Sequence, residues 1–403
     1  MPMFSFLKSN LGQYAVITGN YWAFTLTDGA LRMLVVLYFY QLGYSGLEVA
    51  LLFVFYEFFG IVTNLFGGWL GAKWGLNRTM NIGLALQVLA LSMLLVPTAW
   101  LSVIWVMAAQ ALSGIAKDLN KMSAKSTIKT LVRDTEQSKL YKWVAILTGS
   151  KNTLKGVGFF LGGLMLTLVG FQGAILIMAI SLTAVWVSSL LLLKADTGKA
   201  SFKPKFSDIW SKSRAINMLS AARLFLFGAR DIWFVIALPL FLASQLAWSH
   251  WQVSAFLAFW VIAYGFVQAL APRFAQAKHL SFWGILLALT PAAIGFYLAN
   301  QQAETTSQVL GYALILGLGL FGLLFAVNSS IHSYLIVSSA RADGVSLDVG
   351  FYYMANAAGR LLGTVLSGWI YQTAGLVPCL IVSSLFLLLA TAIVGGLPKT
   401  ADV

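Results

Sequence analysis

Gly68-Trp69-Leu70-Gly71-Ala72-Lys73-Trp74-Gly75-Leu76-Asn77-Arg78 decides the fold of this chain. It separates two apolar runs, near 46–71 and 79–97, with glycines that allow a tight turn and two bases at the break. Runs of about 20 apolar residues can cross a bilayer as helix, so the stretch reads as a short connection between two spans. Working outward, the pattern repeats. Further runs fall near 14–39, 101–126, 142–168, 172–193, 216–242, 251–275, 281–299, 308–338, 346–371 and 376–396, which makes twelve spans. Seventeen of the 26 Lys and Arg residues lie at the termini and in alternate connections, and the other connections carry none. Bases gather on the cytoplasmic side of spans, which predicts that both termini are cytoplasmic.

Composition agrees. The chain is 59% apolar and 10% charged, against about a quarter charged in soluble domains, so it reads as a membrane protein throughout. The net charge of +13 follows from the loop bias, so nucleic acid is not expected as a partner. The partners expected are lipid and a small substrate. The single cysteine, Cys379, excludes an internal disulfide and a cysteine-clustered metal site. No cofactor or metal is expected. The N-terminus lacks a cleavable signal pattern, and its first apolar stretch is long enough to remain as a span.

The segment 195–215 is polar and basic and holds Pro204. It reads as a cytoplasmic linker between an N-terminal six-helix bundle, 1–194, and a C-terminal one, 216–403. Gly60 and Lys73 match Gly265 and Lys278 at a constant offset, a weak internal repeat. Two parallel six-helix halves are the layout of major facilitator transporters. The fold class expected is therefore an all-α membrane protein of twelve transmembrane helices, its two pseudo-symmetric bundles arranged around a central cavity and acting as a monomer. The third, sixth, ninth and twelfth spans contain no Asp, Glu, Lys or Arg, and these four face lipid in that fold.

Nine bases lie inside apolar segments: Arg32, Lys117, Lys121, Lys125, Lys151, Lys155, Arg223, Arg230 and Arg360. A cation in hydrocarbon costs several kcal/mol and persists where it meets water, a partner or an ion. Asp28 and Arg32 share a helix face with Thr25, Arg223 and Arg230 share another, and Tyr352, Asn356 and Arg360 climb a third at steps of four. Arg32, Lys155, Arg230 and Arg360 are expected near the midplane, and Lys125 at the interface. The acids expected to be buried are four, Asp28, Glu57, Asp118 and Asp231, so pairing leaves five bases over. The excess calls for anions, and the planar Arg fork suits phosphate-like oxyanions. Drug exporters need acidic cavities for cations, and an enzyme needs a nucleophile or acid–base constellation that three His and one Cys hardly supply.

The 68–78 stretch resembles the major facilitator signature between the second and third helices, with Ala72 where that signature has an acid. Gly68, Lys73, Gly75 and Arg78 are accordingly expected to act in gating. Gly149, Gly158, Gly162 and Gly163 resemble the glycine-rich fifth helix of antiporters, and close helix packing explains them equally well. His332, among Asn328, Ser329, Ser330 and Ser333, reads as a packing histidine or a proton relay. Cys379 reads as a packing residue.

Residues 20–37 (NYWAFTLTDGALRMLVVL), 111–126 (ALSGIAKDLNKMSAKS) and 211–234 (SKSRAINMLSAARLFLFGARDIWF) resemble the organoarsenical efflux permease family ArsJ of bacterial arsenic-resistance operons. These stretches hold the charges singled out above. The resemblance implies an inner-membrane exporter of 1-arseno-3-phosphoglycerate that works by alternating access and confers arsenate resistance. A companion glyceraldehyde-3-phosphate dehydrogenase would make that substrate. Arg32 and Arg230, one from the first helix of each half, resemble the arrangement in organophosphate antiporters and are expected to grip the substrate's anionic ends, with Lys117, Lys121, Lys151, Lys155, Arg360, Asn356 and Tyr352 around them. Asp28, Glu57, Arg223 and Asp231 are expected to act in coupling or charge relay. The alternatives are a carrier of another organic phosphate or phosphate-like anion, or a proton-coupled drug exporter.

Overall fold

The computed structural model describes residues 9–43, 52–133, 136–193, 198–201, 213–248, 250–301 and 307–397, and every regular element among them is helical. The α-helices are α1 (Asn10–Gln41), α2 (Val54–Trp74), α3 (Leu76–Met93), α4 (Val103–Leu131), α5 (Gln137–Leu192), α6 (Arg214–Phe234), α7 (Ala237–Gln245), α8 (His250–Leu270), α9 (Leu280–Ala299), α10 (Ser307–Ser339), α11 (Val345–Ala374) and α12 (Leu376–Gly395). Each expected span lies largely on helix wherever it is described. The helices do not map one to one, however.

The fifth and sixth spans run on as α5, whose 56 residues include one non-helical position, Gly170, at φ 69° and ψ 179°. At 1.5 Å per residue a straight helix of that length would be more than twice the ~30 Å hydrocarbon core. Glycine takes the positive φ that reverses the chain there without Cβ strain. The seventh span is divided into α6 and α7. Among the described residues, seven helices are long and apolar enough to cross a membrane. α4 falls outside that set because Lys117, Asp118, Lys121 and Lys125 interrupt it. Apolar side chains lie exposed on the charge-free segments, as with Leu191 at 80% and Phe296 at 74%.

The chain forms two compact units. The first comprises Met1–Ser211 with Ala340–Met354, and the second Lys212–Ser339 with Ala355–Val403. In the first, α1 packs along α5, and α2 and α3 pack on α4. The α1–α5 contact is close because it runs backbone to backbone. A Cβ on Gly158 would lie 2.7 Å from the Leu26 carbonyl oxygen, and one on Gly162 only 2.3 Å from that of Ala30. This gives the fifth-span glycines a packing role. In the second unit, α12 packs on α6 and α9, and an aromatic core forms around Trp233, Phe321, Phe325 and Trp260. Cys379 is buried in that core, and its thiol donates to the Gly375 carbonyl oxygen.

The second unit repeats the glycine seam, between α6 and α11. A Cβ on Gly359 would lie 2.1 Å from the Leu224 carbonyl oxygen, and one on Gly363 2.5 Å from that of Gly228. Overpacking a core costs about 1–3 kcal/mol, and backbone atoms yield less readily than side chains. Gly359→Val is therefore expected to remove the monodisperse folded species on size exclusion in detergent. Gly319→Ala, where nothing lies within 4 Å, is expected to leave both the elution profile and the melting temperature intact. A normal melt for Gly359→Val would refute the seam.

Candidate functional site

In the first unit the charges gather where α1, α2, α4 and α5 meet. Arg32 of α1 is half-buried and approaches Oε1 of Glu57 on α2 at 3.4 Å. Its guanidinium lies 5.0 Å from the Phe53 ring centroid and 5.3 Å from that of Tyr56. Two aromatic faces and one carboxylate oxygen thus hold the fork. One turn earlier on α1, Asp28 accepts a 2.6 Å hydrogen bond from the Tyr56 hydroxyl. Thr25, on the same face, donates to the Tyr21 carbonyl oxygen instead of joining the charges.

Asp118 on α4 is 2% exposed and serves two bases. The Lys117 ammonium stands 3.6 Å away, and the Lys121 ammonium makes a tighter contact from the next turn. Gly60 of α2 makes room for this carboxylate, since a Cβ there would meet Oδ2 of Asp118 at 2.9 Å. Lys117 also sits over the Tyr56 ring at 3.8 Å. Lys155 of α5 is half-buried, and among the described residues no carboxylate lies within ion-pair distance of it. Lys151, one turn earlier, is half-buried as well.

The second unit repeats the arrangement with arginines. Asp231 of α6 is fully buried and bridges two bases. Arg230 donates through Nε at 2.6 Å to Oδ1, and Arg360 of α11 through Nε at 3.2 Å to Oδ2. Arg223 is 3% exposed and is held by neutral oxygens: Nε donates to Oδ1 of Asn356 at 3.0 Å, and a terminal nitrogen to the Ser329 hydroxyl at 3.2 Å. Gln268 of α8 donates to that same hydroxyl at 3.1 Å. Phe227 lies between Arg223 and Arg230, its centroid 3.9 Å and 4.9 Å from the two guanidiniums.

Each unit thus holds a buried aspartate with two bases on it. Such a cluster carries net positive charge in a low-dielectric setting. An isolated buried cation is costly, and one carboxylate neutralises only half of each pair.

Several expected residues fall elsewhere. Tyr352 is fully buried, packs edge-on to Tyr353 at 5.1 Å and belongs to the first unit, while Asn356 and Arg360 belong to the second. Lys125, expected at the interface, is 2% exposed. The set of buried acids also changes. Glu57 is half-buried, whereas Asp348 is fully buried and takes a two-pronged contact from Arg341 at 3.1 Å and 2.9 Å. His332 is buried beside a small cavity shared with Asn328 and Thr391, and its Nδ1 has no hydrogen-bond partner among the described residues. The sequence reading missed Tyr56 and Tyr353, because nothing in sequence distinguishes a phenol that meets a lysine from one that only packs.

At the expected gate, Gly75 at φ 96° separates α2 from α3. Lys73 is exposed over the Trp69 ring at 4.5 Å, and Arg78 is exposed. Gly68 lies against the start of α11, where the Ser346 hydroxyl donates to its carbonyl oxygen at 2.7 Å. Ala72 is fully buried with Ala200 and Leu347 and accepts a 2.9 Å hydrogen bond from the Ala200 amide. An acid at that position would be buried among apolar side chains.

Solved structures share this architecture at low identity. The human organic anion transporter MFSD10 (TETRAN) superposes at a TM-score of 0.74 with 14% identity, over 95% of this chain and 99% of that one. The E. coli fucose:proton symporter FucP gives 0.74 with 11% identity, over 98% and 100%. A bacterial homologue of the iron transporter ferroportin, in an outward-facing state, gives 0.72 with 12% identity, over 94% and 98%. At such identities the likeness is one of fold. No curated protein matches the sequence significantly. The model of the Major Facilitator Superfamily matches residues 17–347, most of the chain, and together with the helical architecture this shows that the protein is a multi-pass membrane transporter belonging to that superfamily.

Proposed function

We propose that this transporter exports a doubly anionic phosphorylated pentavalent organoarsenical, 1-arseno-3-phosphoglycerate, and so confers arsenate resistance. The observation that carries the anion class is the pair of buried aspartates, Asp118 and Asp231, each with two bases on it. The particular substrate rests on the resemblance to ArsJ-type permeases in 20–37, 111–126 and 211–234. Its phosphate and arsenate groups match two clusters of excess positive charge. The single cysteine fits as well, since trivalent arsenic favours thiol clusters and pentavalent arsenic is an oxyanion.

In this reading Arg32 and Arg230 each take one anionic group. Lys117, Lys121, Lys151, Lys155 and Arg360 add attraction, and Asn356, which accepts from Arg223, lines the site beside them. Asp28, Glu57, Arg223 and Asp231 relay charge during alternating access, and the 68–78 turn biases the gate. The protein works in a bacterial inner membrane with both termini in the cytoplasm. It depends functionally on a glyceraldehyde-3-phosphate dehydrogenase that makes the ester. A carrier of another organic phosphate is the second reading, favoured by the same clusters.

Expression is expected to raise tolerance to arsenate and not to arsenite, and only in cells that also carry the dehydrogenase. In everted vesicles, arsenic uptake should require arsenate, glyceraldehyde 3-phosphate, the dehydrogenase and its nicotinamide cofactor together. Equal accumulation of free arsenate or arsenite without the dehydrogenase would refute the organoarsenical assignment.

A further inference from the structure

Lys125 is the least expected of the buried bases. It lies on α4 two turns beyond Lys117, is 2% exposed, and donates a hydrogen bond to the Tyr353 hydroxyl. The Tyr353 ring centroid is 4.8 Å from the Lys125 ammonium and 4.7 Å from that of Lys121. Two ammonium groups thus converge on one phenol, and one of them also serves Asp118. A phenol oxygen is a neutral acceptor, whereas each ammonium offers three donors. An oxyanion placed there would accept stronger, charge-assisted hydrogen bonds.

Spacing supports a path. Lys117, Lys121 and Lys125 follow one another at steps of four, about 6 Å apart along the α4 axis. An anion moving along this face meets a second ammonium before leaving the first. Tyr353 belongs to the start of α11, which is held close to α2: a Cβ on Gly350 would lie 2.6 Å from the Asn64 carbonyl oxygen and 2.9 Å from Cα of Gly68. Whatever displaces the phenol breaks its hydrogen bond to α4, while the close contact with α2 stays in place.

We infer that Lys121 and Lys125 form a second oxyanion site, between Lys117 and the α4–α5 turn, and that the Tyr353 hydroxyl holds the position an anion oxygen would take. The ligand class is a phosphate-like group. Its arrival competes with Tyr353, so loading the site and breaking the Lys125–Tyr353 hydrogen bond are one event. The inference rests on the anion-export reading and adds to it a site and a competitor.

The test uses the full chain purified in detergent, with inorganic phosphate and 3-phosphoglycerate as probes in calorimetric titrations. Tyr353→Phe keeps the ring and its cation contacts but removes the competing oxygen. Affinity is expected to rise about 3- to 10-fold, the worth of one hydrogen bond. Lys125→Met is expected to lower affinity about tenfold, and adding Tyr353→Phe to it should bring no further gain. An unchanged or weakened affinity in Tyr353→Phe, while Arg32→Lys still weakens binding, would overturn the second site and leave the export reading standing. If Arg32→Lys and wild type bind alike, the export reading fails separately. Should Lys125→Met not fold, the Tyr353→Phe affinity decides alone.

Discussion

Arg230→Lys and Arg32→Lys are each expected to lower export about 10- to 100-fold with the protein still folded, the worth of one or two hydrogen bonds to a charged group. The charge is kept in both variants and the fork is lost. Arg230 spends Nε and one terminal nitrogen on the same oxygen of Asp231. Its remaining N–H groups are free to meet a second anion in the same plane. A lysine in its place offers a point charge without the planar fork, so it cannot hold Asp231 along one edge and present a second edge of parallel N–H groups to the substrate. Arg32 is held more loosely, by one oxygen of Glu57 at 3.4 Å and two aromatic faces, so its fork turns toward an incoming anion at little cost. Initial uptake rates in everted vesicles, set beside melting temperatures in detergent, check both variants. Wild-type rates in both would make these arginines structural and would remove the basis of the proposed site.

The second large effect concerns stability. Asp231→Ala is expected to destabilise the folded protein by about 3 kcal/mol, because it leaves the largely buried Arg230 and the half-buried Arg360 without their shared, fully buried carboxylate. Asp231 is fully buried and answers both guanidiniums. Removing one base together with the acid should return part of the loss, so Asp231→Ala with Arg360→Ala is expected to melt above Asp231→Ala alone. Lys139–Glu136 serves as the comparison, a pair at the start of α5 whose carboxylate is half-exposed, unlike that of Asp231. There Lys139 hydrogen-bonds the carboxylate and holds it below the usual glutamate range. Glu136→Ala is expected to leave the melting temperature unchanged, since exposed pairs contribute little. If Asp231→Ala behaved like Glu136→Ala, the two arginines would be solvated, and the picture of a low-dielectric cluster would be wrong.

Span positions were legible in the sequence because long apolar runs are a local property, and the bilayer demands about 20 such residues whatever the neighbours are. The glycines in the fifth span were ambiguous for the opposite reason. Only the backbone of α1, brought against Gly158 and Gly162, explains why a side chain is not tolerated there. The break between the fifth and sixth spans was legible as well, although α5 runs across it. Sequence marked it near Gly170, and that glycine is where the chain leaves helical geometry, with helical hydrogen bonding on both sides.

The sequence by itself determined that this chain is an all-helical membrane protein with more intramembrane bases than acids, because composition and net charge do not depend on how helices pack. It also named most of the charged residues of the two clusters, since a base in an apolar run is conspicuous wherever it points. Tertiary structure alone decided the pairing. Asp118 serves two lysines within α4, but Asp231 reaches Arg360 from 129 positions away. Spacing could not foresee that Tyr352 would belong with the first unit and Asn356, one turn later, with the second. Nor could it show that Lys125 is sealed under Tyr353. Helical periodicity says which residues share a face. What that face meets depends on helices distant in the chain, and it is there that a buried charge finds or lacks its partner.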